Sequence, residues 1–217
     1  MRKKNIILIG GGGHCESVID VIENSGMYSI KGILDKDKVG KKILGYKVIG
    51  NDDAIEKLSA KNCFHISVGQ IKSPELRKKI FDKVKKANGV LPVIISPRAY
   101  VSKNAKISEG TIVMHNAVVN SSAQVGSNCI LNTSCIIEHN SAIGSHTHIS
   151  TMAVVNADCR VGEGVFISSN VCVNRGIAIG NNVIIGAGSV VTRNIQNNEI
   201  AWGVPAISTK KNDFKQK

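Results

Sequence analysis

From Val101 to Val191 an aliphatic residue occupies every sixth position without a miss: Val101, Ile107, Val113, Val119, Val125, Leu131, Ile137, Ile143, Ile149, Val155, Val161, Ile167, Val173, Ile179, Ile185 and Val191. Two residues before each stands a mostly small one, as at Ala99, Ala105, Thr111, Ala117, Ala123, Cys129 and Cys135. A helical period of 3.6 cannot hold a six-residue beat, and simple alternation would not single it out. A three-sided parallel β-helix does, with six residues per face and 18 per coil. A second periodicity supports the coil length. Gly126, Gly144, Gly162 and Gly180 recur at intervals of 18, and Asn120, Asn156 and Asn174 share another register that Glu138 interrupts. Glycine and asparagine tolerate left-handed backbone, so these registers are expected to be the tight corners. The repeats make about five coils, or a prism roughly 25 Å tall at a strand spacing of ~4.8 Å.

Composition fits such a core. The 217 residues include only four Phe, three Tyr and one Trp. Cys129, Cys135 and Cys159 fall in small inward slots, where they read as packing. Six cysteines behind an amino end too short in apolar residues for a signal peptide point to reduced thiols and a cytoplasmic setting. No apolar run reaches the ~18 residues of a membrane helix, so no membrane insertion is expected. The net charge of +12 is uneven: residues 1–98 hold 19 basic and 10 acidic side chains, residues 99–217 nine and six. The densest cluster is Arg77, Lys78, Lys79, Lys83, Lys85 and Lys86, among apolar residues at helical spacing. It reads as the solvated face of a helix. With so few aromatics to stack on bases, nucleic acid is not an expected partner.

Residues 1–95 follow another grammar. Strands are expected at Asn5–Gly10, Ser29–Leu34, Phe64–Val68 and Val93–Ile95, with helices after Gly13, over Asp52–Leu58 and from about Pro74. Such alternation implies a small parallel α/β sheet whose ligand lies beyond the carboxyl ends of its strands. The dinucleotide fingerprint Gly-x-Gly-x-x-Gly is incomplete: started at Gly10 it meets Cys15, and started at Gly11 it meets Glu16. A redox cofactor is therefore not expected. A glycine turn opening a helix still suits a phosphate or pyrophosphate, and Asp35 can accept from a ribose or base. Ser96-Pro97-Arg98 reads as a hinge, Trp202-Gly-Val-Pro205 as the end of the folded part, and 208–217 as a basic, mobile tail.

The hexapeptide beat resembles that of the hexapeptide-repeat transferases, which fold as left-handed parallel β-helices. The left hand is implied by this resemblance and not by the periodicity. With a glycine turn ending in Gly13-His14 and Leu34-Asp35 after the second strand, the whole chain is similar to the nucleotide-amino-sugar N-acetyltransferases and sialic acid O-acetyltransferases of bacterial surface-glycan pathways. The resemblance implies a Rossmann-like α/β domain at 1–95 and an all-β left-handed β-helix at 99–207. It further implies acetyl-CoA as co-substrate, no metal, and a homotrimer with active sites between subunits. The nucleotide-sugar contacts are then Gly12, Gly13, His14, Asp35, Lys36 and Gly69.

Six histidines are present, at 14, 65, 115, 139, 146 and 148. In Ile137-Glu138-His139-Asn140, a charged residue breaks the corner register beside an outward-pointing histidine, a departure that tends to mark a site. The resemblance makes His139 the general base. It expects an acid at position 140, so Asn140 can orient the ring without charge, and Glu138 is left to supply an acidic influence. Acetyl transfer by direct attack of a sugar amine is expected, on a UDP- or dTDP-linked 4-amino-4,6-dideoxy sugar. His148 lies half a coil on, and by the same resemblance contacts acetyl-CoA, with Ala157, Ser169 and Ala187 along the pantetheine. Alternatives are sialic acid O-acetylation, a γ-type carbonic anhydrase needing three histidines on zinc, and a non-enzymatic β-helix scaffold.

Overall fold

The computed structural model describes residues 3–211. The apolar run near the amino end forms strand β1 (Lys4–Ile9), followed by helix α1 (Gly13–Ser25), β2 (Tyr28–Leu34), β3 (Lys42–Ile43), β4 (Tyr46–Gly50), helix α2 (Ile55–Ser59), β5 (Cys63–Ile66) and helix α3 (Glu75–Lys86). The sheet order is β3-β4-β2-β1-β5, parallel except for the β3–β4 hairpin. That hairpin has no periodic signature; Leu44 and Gly45 turn it with φ of 45° and 87°. β1 is flanked by β2 on one side and β5 on the other, so the chain reverses direction across the sheet at the end of β1.

Every aliphatic residue of the six-residue series is the second residue of a two-residue strand, from Tyr100–Val101 to Val190–Val191. The strands pair in parallel at an offset of 18, Val118 with Ile136 and Ile136 with Val154, for example, and build the three faces of a prism. Their inward side chains, with Ala117, Ala123, Cys129, Cys135 and Cys159, form one aliphatic core. Burying a Val, Leu or Ile side chain contributes ~1.5–3 kcal/mol each. Burial pushes the thiol of Cys129 up to about 11 and raises that of Cys135 further, as expected for cysteines that only fill space.

The structure corrects four expectations. Ile94–Ile95 does not join the α/β sheet; it pairs with Ile112–Val113 and opens the first face of the prism. Ser96-Pro97-Arg98 is accordingly the prism's first corner and not a hinge: the Ser96 amide donates to Val113 O and its hydroxyl meets His115 Nδ1 at 2.6 Å. The chain does not stop at Pro205, because Glu199–Gly203 and Ala206–Lys211 form an antiparallel hairpin on the last coil. The expected tail therefore begins inside a strand, and residues 212–217 lie outside the described residues.

The fourth correction concerns the corners. Left-handed backbone occurs at every sixth residue from Gly110 to Gly188, including Asn116, Asn128, Asn140, Asp158 and Gly176, three places after each aliphatic residue from Ile107 to Ile185. The glycines at 126, 144, 162 and 180 are not among these positions. They are demanded by stacking: a Cβ on Gly144 would stand 2.5 Å from the Gly162 carbonyl, and one on Gly162 2.7 Å from the backbone of Gly180.

The α/β half covers the first face. Ile94, Ile112, Met114 and Ile130 share a core with Ile6, Leu8, Val18, Ile19 and Ile22, while α3 packs on the other side of the sheet through Ile80 and Val84. Gly144→Ala is expected to lower the melting temperature by about 3–10 °C, because backbone cannot retreat from backbone. Gly176→Asn, with φ of 75° and open space around its Cβ direction, is expected to melt with the wild type. Thermal denaturation of both variants checks the stacking argument.

Candidate functional site

The crevice at the carboxyl end of the sheet opens where β1 parts from β2 and β5, the place where such sheets take ligands. The four glycines there divide the work. Gly10 has φ of 104° and a Cβ on it would strike Val68, and Gly11 is closed in by Ile43 and Asp35. Gly12 and Gly13 have open space on their Cβ side. Gly12 caps α1 without a side-chain hydrogen bond, so the first turn's amides face the crevice. Two adjoining hollows meet at Asp35: one of about 610 Å³ bordered by Gly10–His14, Gly69 and Ile71, the other of about 430 Å³ bordered by Asp35–Asp37, Asn51–Asp53, Lys79 and Lys83. Asp35 is partly committed already, since its carboxylate accepts from the amides of Gly11 (2.8 Å) and Asp37 (3.0 Å). Lys36 is exposed at the rim. Lys38, which no motif flagged, donates to Gly11 O and braces the turn.

Below Gly69 the crevice floor is joined to the prism. Gln70 donates to His146 O at 2.8 Å, and its own carbonyl meets His148 Nδ1 at 2.6 Å. Asn132 Nδ2 stands 3.2 Å from His148 Nε2, and Phe166 packs on the ring at 5.1 Å. His148 is thus a buried residue of the first face, beneath the α/β half. Burial first, and then the Arg77 charge, bring its pKa down to about 4 against the lift from Gln70. His14 is held at about 3 by burial, then by Arg77 and His148. Both rings are neutral at physiological pH.

His139 lies elsewhere, exposed at the corner after Ile136–Ile137 on the second face. Glu138 accepts from Asn120 Nδ2 (2.9 Å) one coil below and from the His139 amide (3.4 Å). Asn140 has a φ of 60°, which explains an asparagine there, and its amide nitrogen donates to Asp158 Oδ1 at 3.2 Å. Asp158, one coil above, also pairs with Arg175 at 2.8 Å, and its amide donates to His139 O. These hydrogen bonds hold its carboxyl below the usual range, with a smaller pull from His139. Asp158 stands 18 residues from the Asn140 it contacts, one coil on, so reading neighbours along the chain does not find it.

The expected acetyl-CoA residues separate within one chain. Ala157 sits one coil above His139, on the same edge. Ser169 and Ala187 are stacked on the edge after the first face, where the Ser169 hydroxyl meets that of Ser150 at 3.2 Å. Of the remaining histidines, His115 bridges Ser96 and Asp20, while His65 and His146 are buried. Among the described residues no cluster of three His, Cys, Asp or Glu side chains stands ready for a metal ion, and no helix is long and apolar enough to cross a membrane.

The lowered histidines set an acid limit. Free histidine titrates near ~6.5, so as pH falls from there to about 4 the unfolded chain binds protons that folded His148 refuses, and His14 extends the effect toward 3. Stability is fully present above the unfolded value and declines below it. The urea midpoint is expected to drop between about pH 7 and 5, and less steeply in His148→Gln; an equal slope in the variant would remove His148 from the account.

Residues 5–84 match the family described as the PglD N-terminal domain, and residues 158–193 match the bacterial transferase hexapeptide family. Among solved structures, PerB from Caulobacter crescentus in complex with CoA and GDP-perosamine is 30% identical, with a TM-score of 0.89 over 95% of this chain and 97% of that one. The acetyltransferase domain of PglB from Neisseria gonorrhoeae in complex with acetyl coenzyme A is 29% identical, with a TM-score of 0.90 over 96% of this chain and 100% of that one. A curated relative, the uncharacterized protein L142 of Acanthamoeba polyphaga mimivirus, is 33% identical over 108 residues; these cover 50% of this chain and 21% of that protein. Likeness along nearly the whole of PerB extends to the left hand of the coil, and the chain belongs to the hexapeptide-repeat, left-handed β-helix acyltransferases, among the acetyl-CoA-dependent sugar N-acetyltransferases.

Proposed function

We propose that this protein moves the acetyl group of acetyl-CoA to the amine of a nucleotide-linked 4-amino-4,6-dideoxy sugar, in bacterial surface-glycan biosynthesis. The observation that carries the reading is the likeness along nearly the full length to an N-acetyltransferase solved with CoA and a nucleotide amino sugar. The local chemistry supports it. The amides opening α1 offer a site for a diphosphate, with Gly12, Gly13, His14 and Gly69 around it and Asp35 and Lys36 at the nucleoside end. His139 is exposed at its corner of the prism.

In this reading the sugar amine attacks the thioester carbonyl while His139 accepts its proton, and collapse of the tetrahedral intermediate expels the CoA thiolate. A backbone N–H steadies the oxyanion. No acyl-enzyme forms, in keeping with cysteines whose thiols burial keeps protonated. Glu138 and Asn140 act on His139 through the corner: Glu138 by its bond to the His139 amide, Asn140 through Asp158. His148 lies on the first face and Ser169 and Ala187 on the edge that follows it, while His139 and Ala157 lie on another edge. A complete site therefore needs the edge of one subunit beside that of the next, which argues for a homotrimer with acetyl-CoA between subunits.

Purified protein should release CoA thiol from acetyl-CoA in the presence of the amino sugar, and sedimentation should report three chains. We expect a UDP- or dTDP-linked sugar to be used; the GDP-linked form, the ligand of the similar PerB, is the informative third arm. Turnover with sialic acids alone would overturn the N-acetylation reading. His139→Ala is expected to lower kcat by about 100-fold or more with little change in KM, and a mild effect would take the base elsewhere.

A further inference from the structure

Helix α3 carries six basic residues, and one of them is not on the solvated face. Arg77 is 1% exposed, while its neighbour Lys78 reaches out to Glu163. Among the described residues no carboxylate accompanies the buried guanidinium. Its Nη1 donates to Ile66 O (2.8 Å) and Val68 O (2.6 Å), and its Nη2 to Asn128 O (3.1 Å) and Asn128 Oδ1 (2.7 Å). Asn128 returns a bond to Arg77 O at 3.3 Å and meets His146 Nδ1 at 2.9 Å. One side chain thus ties the end of β5 and Val68, just before Gly69 and Gln70, to a corner of the prism.

Burying a cation without an anion costs several kcal/mol. The same seam holds every buried side-chain polar atom without a partner among the described residues: His14 Nε2, both ring nitrogens of His65, Gln70 Oε1 and Arg77 Nε. Native cores carry few such atoms, and those retained together call for a reason other than stability. Their place supplies one. His14 borders the sugar-nucleotide crevice, His148 is the first-face histidine beneath it, and the segment from Ile66 to Gln70 passes between them.

We propose that Arg77 is a positioning residue for acetyl transfer: it clamps the Ile66–Gln70 segment onto Asn128 and so fixes how the nucleotide-sugar crevice meets the prism face that carries His148. The proposal rests on the acetyltransferase reading for the use of those two surfaces. Arg77 also acts on the seam as an uncompensated charge. It faces His14 and His65 from the crevice side and His148 from the prism side, and it adds to burial in keeping all three neutral.

The test compares Arg77→Met and Arg77→Lys with the wild type by steady-state kinetics and by NMR titration of the histidine rings. In Arg77→Met we expect kcat/KM for the nucleotide sugar to fall about tenfold or more, with KM for that substrate raised and KM for acetyl-CoA little changed. The His14 and His148 rings should protonate at higher pH than in the wild type. Arg77→Lys should return the ring titrations to the wild-type position and recover part of the rate, since an ammonium keeps the charge but not the fork. Should Arg77→Met not fold, Asn128→Gly removes the Oδ1 acceptor, keeps the left-handed backbone, and is expected to raise the same KM. A folded variant with kinetic constants within twofold of wild type, or a loss confined to melting temperature, would overturn the proposal, as would unmoved ring titrations in Arg77→Met. Absence of acetyl transfer by the wild type would instead overturn the function on which it rests, and the titrations would still read the clamp.

Discussion

Each coil of the prism hydrogen-bonds to the next along all three faces, and the positions of His139, Asn140, His148 and Asp158 follow from that ladder. The 18-residue offset is rigid because a slip by one residue would turn the aliphatic side chains outward along the whole stack. It puts Asp158 directly over Asn140 and Ala157 over His139. It also leaves His139 and His148 on different sides of the coil. Two structural demands share the corners: a left-handed residue three places after each aliphatic one, and a glycine wherever two coils approach closest. A site residue can occupy a corner only where neither demand excludes it, and the position of His139, between Glu138 and left-handed Asn140, is such a place.

Against the uniform aliphatic stack, the α/β half meets the first face in two ways. Around α1 the contact is apolar, with Ile94, Ile112 and Ile130 merged into the core of the sheet. Around the end of β5 it is polar, and the buried histidines, Gln70 and Arg77 sit there. The ion pairs at the rim, Lys78–Glu163 and Lys85–Glu109, have exposed partners and contribute ~0–1 kcal/mol each, and His115 meets Asp20 at the rim as well. The apolar part therefore holds the halves together, and the polar part can be shaped for ligands.

The charge excess takes its meaning from this division. Most of the net +12 belongs to residues 1–98, the half with the crevice proposed for a nucleotide diphosphate, and a positive field gathers anionic substrates. Position within the basic cluster mattered more than its size. Spacing along α3 groups Arg77 with the lysines around it, but what lies against each turn of the helix decides that Arg77 goes in and the lysines stay out.

The sequence by itself determined the prism, its coil length, its inward residues and the exceptional character of Glu138-His139, because a repeat read locally at every sixth position needs no knowledge of distant contacts. It also located the glycine crevice. It misassigned Ile94–Ile95, which pairs with a strand 18 residues on in place of its chain neighbours. It missed the 42–50 hairpin, which lacks periodicity, and took the stacking glycines for turn glycines because both uses favour the same residue. The Arg77 seam, the burial of His148 under Gln70 and the pairing of Asn140 with Asp158 were decided only by the tertiary structure. Each depends on which surfaces meet between residues far apart in the chain, and such meetings leave no local pattern to read.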